Sequence, residues 1–447
     1  MPGSTARELL TDLYAAAVRG ADPGPATAAA LARAPTGPSR RHWLVAVGKA
    51  APAMARTAVE WLARERGATF AGGVLAAAEP VTWSTSGASD FEVVVGDHPV
   101  PGPASLDAAA EVGLLAARVR ADDEVLVLLS GGASSLMAAP SAGVDVADLA
   151  VLFERLQGAG TDITVTNHVR KRFLRWAAGH LAVALAPARV RCLLVSDVAG
   201  DDPAIIGSGP CEPDALTAAA VLDLVDRTAL RQSLPPALRA HLTATVRGAV
   251  PETPKPGDPA FARVEREVIL ANRDAVAAAA RRAETLGMDA EIVGDELRGE
   301  AADRGREFAD RLLTRRRERR AGAGARPLCV IAGGETTVTL PLVANVGRGG
   351  RCQELALAAA ERLGAADADA GDVHILAAGT DGRDGATDAA GAMVDAATWE
   401  AVRLAGRDPA RDLRTHEARS ALLAAGALLP ARATGTNVRD VVIGLVL

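Results

Sequence analysis

The chain has 447 residues, a formal net charge of −6 and 49% hydrophobic residues, which is enough for two or three domains with buried cores. The acidic balance argues against nucleic-acid binding, and no apolar run has the length of a membrane span. The N-terminus has no signal-peptide pattern and the four cysteines have no metal or disulfide spacing, so we expect a cytoplasmic protein with reduced thiols.

Strands and helices alternate along the first half of the chain. The pattern predicts strands at 43–47, 72–78, 92–95, 125–129 and 192–195, and helices at 5–34, 145–158, 167–186 and 214–245. This alternation indicates an α/β fold with a doubly wound parallel sheet. Ligands of such sheets bind outside the carboxyl ends of the strands.

A proline-rich link, PETPKPGDP at 251–259, is the clearest domain boundary. It predicts a first domain at 1–250 and a second at 260–447, with the last residues free to pack back on the first. The second half is also α/β. Its predicted strands are 267–270, 290–293, 328–332, 373–378 and 441–446, and its predicted helices are 273–286, 298–320 and 355–363.

A Gly/Ser-rich turn follows the apolar strand at 125–129. Its residues are Ser130, Gly131, Gly132, Ala133, Ser134 and Ser135. A strand, a glycine turn and a helix start together form an anion site, because free backbone N–H groups and the helix dipole favour negative charge. An ordinary tight turn with a serine cap is an equally good interpretation of this stretch alone.

Lysine is scarce, since nearly every basic residue is arginine. Only Lys49, Lys171 and Lys255 occur, and Lys255 lies in the proline-rich link, where we expect it to be solvated. Lys49 follows a strand and precedes a helix, where a cation opposes the helix dipole unless an anionic ligand lies between them. A lysine that points into solvent is the alternative.

Two polar segments are candidates for binding carboxylate or phosphate. His98 lies in a rigid proline loop, DHPVP, and either binds a ligand or bonds the loop backbone. Asn167, Arg170 and Lys171 form a basic cluster at a predicted helix start. A solvated charged face is the alternative for the cluster.

Asp197 lies just after the strand at 192–195. An acid at the carboxyl end of a strand is well placed to act as a general base or a metal ligand. Two further Gly-rich segments lie in the second half. Gly333 and Glu335 follow a strand, and the helix entrance GRGGR carries Arg348, Gly350 and Arg351, a composition suited to a polyphosphate. The chain has no Walker A motif and no correctly placed GxGxxG, so a nicotinamide site has weak support.

Three carboxylates within TDGRDGATD, among them Asp381 and Asp384, suit Mg²⁺ held together with water and phosphate oxygens. The spacing is not that of an EF-hand, and two ordinary Asp-Gly turns are the alternative. Thr380 precedes these carboxylates, and Asn437 ends a further Gly/hydroxyl turn, TGTN.

Together these segments resemble the glycerate 2-kinase family (DUF4147/MOFRL), whose members are also labelled hydroxypyruvate reductases. The matching blocks are VGKAA, DHPVP, LLSGGASSL, NHVRK, SDVAGDDPAIIGSGP, GGETT, GRGGRCQELAL, AGTDGRDGATDAAGAMVD and TGTN, in order along nearly the whole chain. The resemblance implies a Rossmann-like N-terminal domain, a MOFRL-type C-terminal domain and an active cleft between them. It also implies transfer of a phosphoryl group from ATP, with Mg²⁺, to a small hydroxy acid, typically D-glycerate to give 2-phosphoglycerate.

By matched motif, the resemblance implies catalytic roles for Lys49, Asp197 and Arg351 and a metal role for Asp381, with Asp384 second. The implied substrate or phosphate contacts are Ser130, Gly131, Gly132, Ser134, Ser135, His98, Asn167, Arg170, Lys171, Gly333, Glu335, Arg348, Gly350, Thr380 and Asn437. The expected partners are the hydroxy acid and the nucleotide, with no nucleic acid or membrane. A homodimer is left open.

The chain departs from the family pattern at four positions: Gly102, Ala133, Arg172 and Cys352. Arg172 and Cys352 change charge and hydrogen bonding where the family has His and Asn, which puts the acceptor in question. A kinase of the same fold acting on a sugar acid or secondary metabolite is one alternative. An NAD(P)H-dependent hydroxypyruvate reductase is another, and the missing dinucleotide fingerprint argues against it.

Overall fold

The computed structural model describes residues 5–33, 40–65, 68–83, 91–158, 163–228, 230–320, 326–340, 347–366 and 370–447. The chain forms two compact units. The central unit is Pro23–Leu270, and the terminal unit combines Met1–Asp22 with Ala271–Leu447. Among the described residues, no helix is both long enough and apolar enough to cross a membrane.

The central unit is built on a six-stranded, entirely parallel sheet. Its strands are β1 (Arg41–Val47), β2 (Thr69–Ala77), β3 (Phe91–Val95), β4 (Glu124–Leu129), β5 (Arg189–Val195) and β6 (Val264–Leu270). The spatial order is β3-β2-β1-β4-β5-β6, so the chain winds outward from β1 in one direction and from β4 in the other. The predicted doubly wound sheet is confirmed, and its switch point lies between β1 and β4.

Helices cover both faces of this sheet, which explains why all six residues of β4 are buried. The helices of the central unit are α2 (Pro23–Arg33), α3 (Ala51–Arg64), α4 (Pro103–Ala116), α5 (Ala133–Leu136), α6 (Val146–Gly158), α7 (Ile163–Arg170), α8 (His180–Leu185), α9 (Ala218–Asp226), α10 (Leu230–Ser233) and α11 (Pro236–Val246).

The terminal unit contains a second six-stranded sheet, in the order β11-β10-β9-β12-β8-β7. Its strands are β7 (Asp289–Ile292), β8 (Leu328–Gly334), β9 (Val373–Gly379), β10 (Ala389–Asp395), β11 (Leu428–Pro430) and β12 (Asp440–Val446). Only β7 and β8 run parallel, and β12 is antiparallel to both of its neighbours. The fold of the second half is α/β as predicted, with a mixed sheet.

Seven helices pack around the second sheet in the described chain. They are α1 (Ala6–Gly20), α12 (Asn272–Thr285), α13 (Ala301–Arg320), α14 (Arg351–Gly364), α15 (Thr398–Leu404), α16 (Pro409–Arg414) and α17 (Ala418–Ala424). The N-terminal helix α1 belongs here because Gly20 lets it approach α12 closely: a Cβ on Gly20 would lie 2.1 Å from the Ala278 Cβ. The Tyr14 hydroxyl also donates to the Gly379 carbonyl at 2.6 Å.

Several element boundaries differ from the sequence prediction. The helix expected over 5–34 is two helices, because Pro23 begins α2 and a proline favours the first position of a new helix. The segment 251–259 lies inside the central unit, since β6 pairs with β5 in the first sheet. The chain therefore crosses between units at 22/23 and 270/271. The sequence prediction also missed β10, which is rich in Ala and Gly, and β11, which has only three residues.

Candidate active site

The loops that follow β1 and β4 are joined by hydrogen bonds at the switch point. The Lys49 N–H donates to the Gly131 carbonyl at 2.9 Å, and the Ala50 N–H donates to the Ser130 Oγ at 2.9 Å. Gly48 is required here, because a Cβ on it would lie 2.2 Å from the Ser130 Oγ. Ser130 is fully buried and therefore ties the two loops together.

The backbone donors of these two loops differ in how they are used. In the β1–α3 turn, the N–H groups of Gly48, Lys49 and Ala50 all bond protein acceptors. In the β4–α5 turn, the N–H groups of Gly131 and Gly132 have no acceptor within the described residues. Two consecutive glycine N–H donors beside the half-buried Lys49 therefore remain available to an anion.

Ser134 links this turn to two other segments predicted from the sequence. Its Oγ lies 2.6 Å from the Ser208 Oγ and accepts a bond from the Arg170 guanidinium at 3.4 Å. Arg170 also donates to Asn167, which is buried. The Ser135 Oγ instead donates to the Gly132 carbonyl at 3.1 Å and so stabilises the turn.

Arg170 supplies a desolvated positive charge to the switch point. Burial lowers the pKa of its guanidinium to about 10, and the nearby Asp197 carboxylate opposes that fall. Arg170 therefore remains charged at neutral pH. Asp197 follows β5, so it lies on the carboxyl edge of the same sheet, as the sequence predicted. A carboxylate at this edge of the sheet is in position to accept a proton from a bound hydroxyl group.

Lys171 and Arg172 belong to a buried ion-pair network and do not face the switch point. The Lys171 Nζ lies 2.9 Å from Asp214, and the Arg172 Nε lies 3.0 Å from the same carboxylate. Burial works to raise the pKa of Asp214, but these two cations hold it below its usual range. Arg172 also pairs with Glu252, and Lys255 lies 3.4 Å from Glu252. Lys171, predicted to contact a ligand, is thus engaged in a buried ion pair, whereas Lys255, predicted to be solvated, is partly exposed and bonded to its neighbours.

Arg351 in the terminal unit is held by two carboxylates. Its Nε and Nη2 bond the buried Asp440 at 2.5 and 3.0 Å, and its Nη1 lies 2.7 Å from Glu335. Burial acts to lower the pKa of this guanidinium, yet Asp440 and Glu335 raise it above the ordinary value. Both contacts with Asp440 are desolvated, whereas Glu335 is 40% exposed, so the Glu335 contact is the one that a ligand can exchange.

Asp384, the second residue predicted to hold a metal, caps the start of α14. Its carboxylate accepts the N–H groups of Cys352 and Gln353 at 3.1 and 2.8 Å, and the Gln353 Nε2 at 2.9 Å. Gly350 is needed because a Cβ there would lie 2.2 Å from the Asp384 Cγ. The helix entrance predicted to bind polyphosphate thus already holds an anion from the chain itself.

Asp381 remains the candidate ligand for Mg²⁺. It is half-buried, and one carboxylate oxygen accepts the Arg383 N–H at 3.0 Å. The described residues contain no group of three His, Cys, Asp or Glu side chains placed to hold a metal. Mg²⁺ is commonly held by one or two carboxylates together with substrate phosphates, and a single carboxylate fits a metal carried by a nucleotide.

The other predicted residues of the terminal unit have local structural contacts. The Thr380 hydroxyl is buried and donates to the Arg439 carbonyl at 2.6 Å. Asn437 accepts the Arg439 N–H at 3.3 Å, and the exposed Arg348 donates its N–H to Glu417 at 3.1 Å. A Cβ on Gly333 would lie 1.9 Å from the Asn272 Oδ1. In the central unit, the exposed His98 lies against Gly132.

Sequence reasoning missed the carboxylates that neutralise the predicted cations. Asp214 and Asp440 are both buried and pair with Lys171 and Arg351. Asp440 opens the last strand, where an Arg-Asp pair directly before a fully apolar run was a usable signal. Asp214 lies in CEPDAL, a short polar stretch without a distinguishing pattern.

Three departures from the family pattern lie at buried positions. Ala133 is 1% exposed, and its Cβ lies 3.1 Å from where a Cβ on Gly207 would be. Arg172 is in the ion-pair network, and Cys352 is 2% exposed in the core of the terminal unit. The fourth, Gly102, precedes α4, where a Cβ would lie 2.8 Å from Asp97. None of these side chains accepts a hydrogen bond from the Gly131 or Gly132 N–H group.

Comparison with known proteins gives consistent matches over both units. The sequence matches a domain of unknown function (DUF4147) at residues 9–243 and the MOFRL family at residues 328–440. It is 36% identical over 412 residues to D-glycerate 2-kinase of Thermotoga maritima, covering 90% of each chain. It is 36% identical to a putative hydroxypyruvate reductase of Agrobacterium vitis, covering 98% of this chain and 94% of that one.

A solved structure agrees with these sequence matches. The crystal structure of glycerate kinase from Thermotoga maritima superposes with a TM-score of 0.82 at 33% identity, covering 99% of both chains. The likeness therefore extends over the described elements of both units.

Proposed function

The chain belongs to the glycerate kinase family, and we propose that it transfers the terminal phosphoryl group of ATP to a hydroxyl group of D-glycerate, giving 2-phosphoglycerate. The observation that carries this proposal is the switch point, where the Gly131 and Gly132 donors, Lys49 and Arg170 gather around one strand edge. Phosphoryl transfer depends mainly on positioning and on charge stabilisation, and these groups supply both.

In the central unit, each polar group has a distinct role in the proposed reaction. The glycine N–H groups bind the carboxylate of the acceptor or a phosphate oxygen, and Lys49 stabilises negative charge on the moving phosphoryl group. Asp197 takes the proton of the attacking hydroxyl as the new P–O bond forms and the bond to ADP breaks. Arg170 positions Ser134 through a hydrogen bond, and its positive charge interacts with the Asp197 carboxylate.

In the terminal unit, we assign Arg351 and Asp381 to the handling of nucleotide phosphate. Asp440 fixes the guanidinium plane of Arg351, and a phosphate oxygen replaces the half-exposed Glu335 as its second partner. Asp381 would hold Mg²⁺, which when bound neutralises phosphate charge. The phosphate-stabilising strength of Arg351 then depends on displacing Glu335.

The reductase name carried by the Agrobacterium relative has less support in this fold. A dinucleotide in a Rossmann sheet binds its pyrophosphate with backbone donors of the first βα turn. Here the donors of that turn, after β1, are bonded to Ala76, Gly131 and Ser130. The reason for considering an acceptor other than D-glycerate was the set of departures at Ala133, Arg172 and Cys352. These residues have packing or ion-pair contacts, which weakens that reason.

The direct test is ADP release from ATP by the full chain with Mg²⁺ and D-glycerate, with phosphorus NMR of the product. Lys49→Ala and Asp197→Asn are each expected to lower kcat by about 100-fold or more, the usual cost of removing one group that stabilises a transition state. Arg56→Ala, an exposed residue on the same helix that follows Lys49, is the matched control and should retain activity.

The assay also separates the alternatives. ATP-independent consumption of NAD(P)H with hydroxypyruvate would replace the kinase proposal with a reductase. ADP release with a sugar acid but not with D-glycerate would keep the kinase and replace the acceptor. Full turnover by both Lys49→Ala and Asp197→Asn would refute the role assignments at the switch point.

A further inference from the structure

A cavity of about 500 Å³ lies in the central unit, and the proposed reaction does not use it. Segments around α8 and α11 line it, together with the stretch that follows α5. Its polar lining includes Ser141, Arg172, Arg175, His180 and His241. None of the switch-point groups Lys49, Ser134, Arg170 and Asp197 is among the lining residues.

The lining is cationic, and no acidic side chain belongs to it. Arg172 connects the cavity to the ion-pair network, in which Lys171, Arg172 and Lys255 pair with Asp214 and Glu252. Three cations in these pairs meet two carboxylates, an excess of one positive charge in a network whose Lys171, Arg172 and Asp214 are buried and whose Lys255 and Glu252 are partly exposed. The exposed Arg175 at the cavity adds a second. An anion in the cavity would balance both charges.

The cavity lining also has hydrogen-bonding groups, which indicate that a ligand carries polar groups in addition to its negative charge. The Ser141 Oγ is buried and has no partner among the described residues. The His180 Nδ1 lies 2.8 Å from the Ala177 carbonyl, which only accepts, so Nδ1 carries the proton and a neutral ring has Nε2 as an acceptor. Burial lowers the pKa of both His180 and His241, which favours neutral rings. Such donors and acceptors suit hydroxyl groups.

The size of the cavity points to an organic ligand. Ligand sites are typically about 300–1,000 Å³, whereas a single inorganic anion would leave most of this space unfilled. Leu242, Val250 and Pro251 give it an apolar wall against which a short carbon skeleton packs. We propose that the cavity binds a small hydroxylated organic anion, a carboxylate or a phosphate ester, at a site separate from the switch point.

Calorimetric titration of the full chain with citrate, and separately with glycerol 3-phosphate, tests this proposal. At least one probe should bind to the wild type, and the two probes distinguish a carboxylate from a phosphate-ester preference. Arg175→Glu should weaken binding about ten-fold or more, because it reverses a charge that pairs with the anion. Ala142→Trp, at an exposed lining position, should weaken it comparably by filling the cavity.

Two further variants serve as controls. Arg281→Glu makes the same charge change at an exposed site in the terminal unit and should leave the Kd within about two-fold. Lys49→Ala should also retain binding, because Lys49 is not part of the cavity lining. Circular dichroism on each variant verifies the fold.

Three results would overturn the proposal: no binding of either probe to the wild type, unchanged binding in both Arg175→Glu and Ala142→Trp, or binding lost in Lys49→Ala and kept in Arg175→Glu. The last result would place the anion at the switch point. The proposal does not depend on the kinase activity, so a failure of the ADP assay leaves these outcomes unaffected.

Discussion

The β4–α5 turn of the central unit and the entrance to α14 in the terminal unit look alike in sequence but differ in whether their backbone N–H donors have an acceptor. Both are glycine-rich segments at a helix start, and both were predicted to hold anions. At the first, the Gly131 and Gly132 donors have no acceptor in the described chain. At the second, the Asp384 carboxylate already accepts the N–H groups of Cys352 and Gln353.

The difference shows that a glycine-rich helix entrance indicates an anion without indicating its source. A ligand site needs backbone N–H donors that have no acceptor in the protein. In a capped helix entrance these donors already bond a side chain of the chain and stabilise the fold. We therefore expect mutations in the β4–α5 turn to weaken substrate binding. Mutations at the α14 entrance should instead lower the free energy of unfolding.

Asp384→Ala should have the largest effect. It leaves buried donors of α14 without an acceptor and should lower the free energy of unfolding by about 2–4 kcal/mol. Urea denaturation measures the loss, and hydrogen exchange should show reduced protection at the Cys352 and Gln353 amides. Asp381→Ala is the matched control: it should cost little stability and reduce kinase activity. Equal stability losses in the two variants would contradict the distinction between cap and metal ligand.

Gly132→Ala tests the other side of the comparison. Gly132 has φ +88°, and a Cβ would lie 3.0 Å from the His98 ring, so alanine strains the turn and displaces its free donor. We expect KM for the acceptor or nucleotide to rise about ten-fold, equivalent to the roughly 1.4 kcal/mol of one lost hydrogen bond to a charged group.

Gly248→Ala is a control for backbone strain alone. Gly248 has φ +74°, and a Cβ there meets no atom within 4 Å. Gly248→Ala should lower the free energy of unfolding by about 1 kcal/mol, as expected for an alanine forced into a left-handed conformation, and should leave KM unchanged. A KM that rises equally in both variants would remove Gly132 from the binding site.

The pH dependence of stability should also distinguish the α14 entrance. Burial, followed by the charge of Asp440, raises the pKa of Asp384 to about 6 in the folded protein, although N–H donors oppose the rise. The folded state then holds this proton more tightly than the unfolded state. The stability from Asp384 is therefore full below its unfolded pKa near 4 and declines as pH rises through about 6.

Asp384→Asn removes this titration and supplies the measurement. The difference in unfolding free energy between the wild type and Asp384→Asn should shrink by about 2 kcal/mol from pH 4 to pH 7. Urea denaturation at several pH values measures it. A difference that stays constant or grows with pH would mean that the N–H donors dominate and that the carboxylate is ionised throughout.

The fold of the central unit was accessible from sequence because it depends on local patterns. Fully buried strands such as β4 are apolar on both faces, and their alternation with helices leaves few topologies. The sequence did not reveal that α1 belongs to the terminal unit or that β6 belongs to the central unit. Both depend on long-range packing, such as that of Gly20 against Ala278, which no local pattern encodes.

For the candidate site, the sequence identified the cations and turns but not their partners. Lys171 and Arg170 are adjacent and chemically alike, yet one pairs with the buried Asp214 and the other faces Ser134 and Asp197. Arg170 ends α7 and Lys171 begins a 3₁₀ turn, and consecutive side chains of either helix type point in different directions around the axis. A charged cluster read along the chain cannot reveal it.

Ala133→Gly should have the smallest effect, and it addresses whether this chain differs from its family at the switch point. The Ala133 methyl is buried against Gly207, so it fills a space between two loops and leaves the neighbouring glycine donors unchanged. Removing one buried methyl, and adding a glycine to the single turn of α5, should cost about 1 kcal/mol in unfolding free energy. KM for D-glycerate should stay within about two-fold, as measured by ADP release. A change in KM or acceptor preference as large as that of Gly132→Ala would show instead that position 133 sets specificity, because the methyl would then be controlling the geometry of the Gly131 and Gly132 donors.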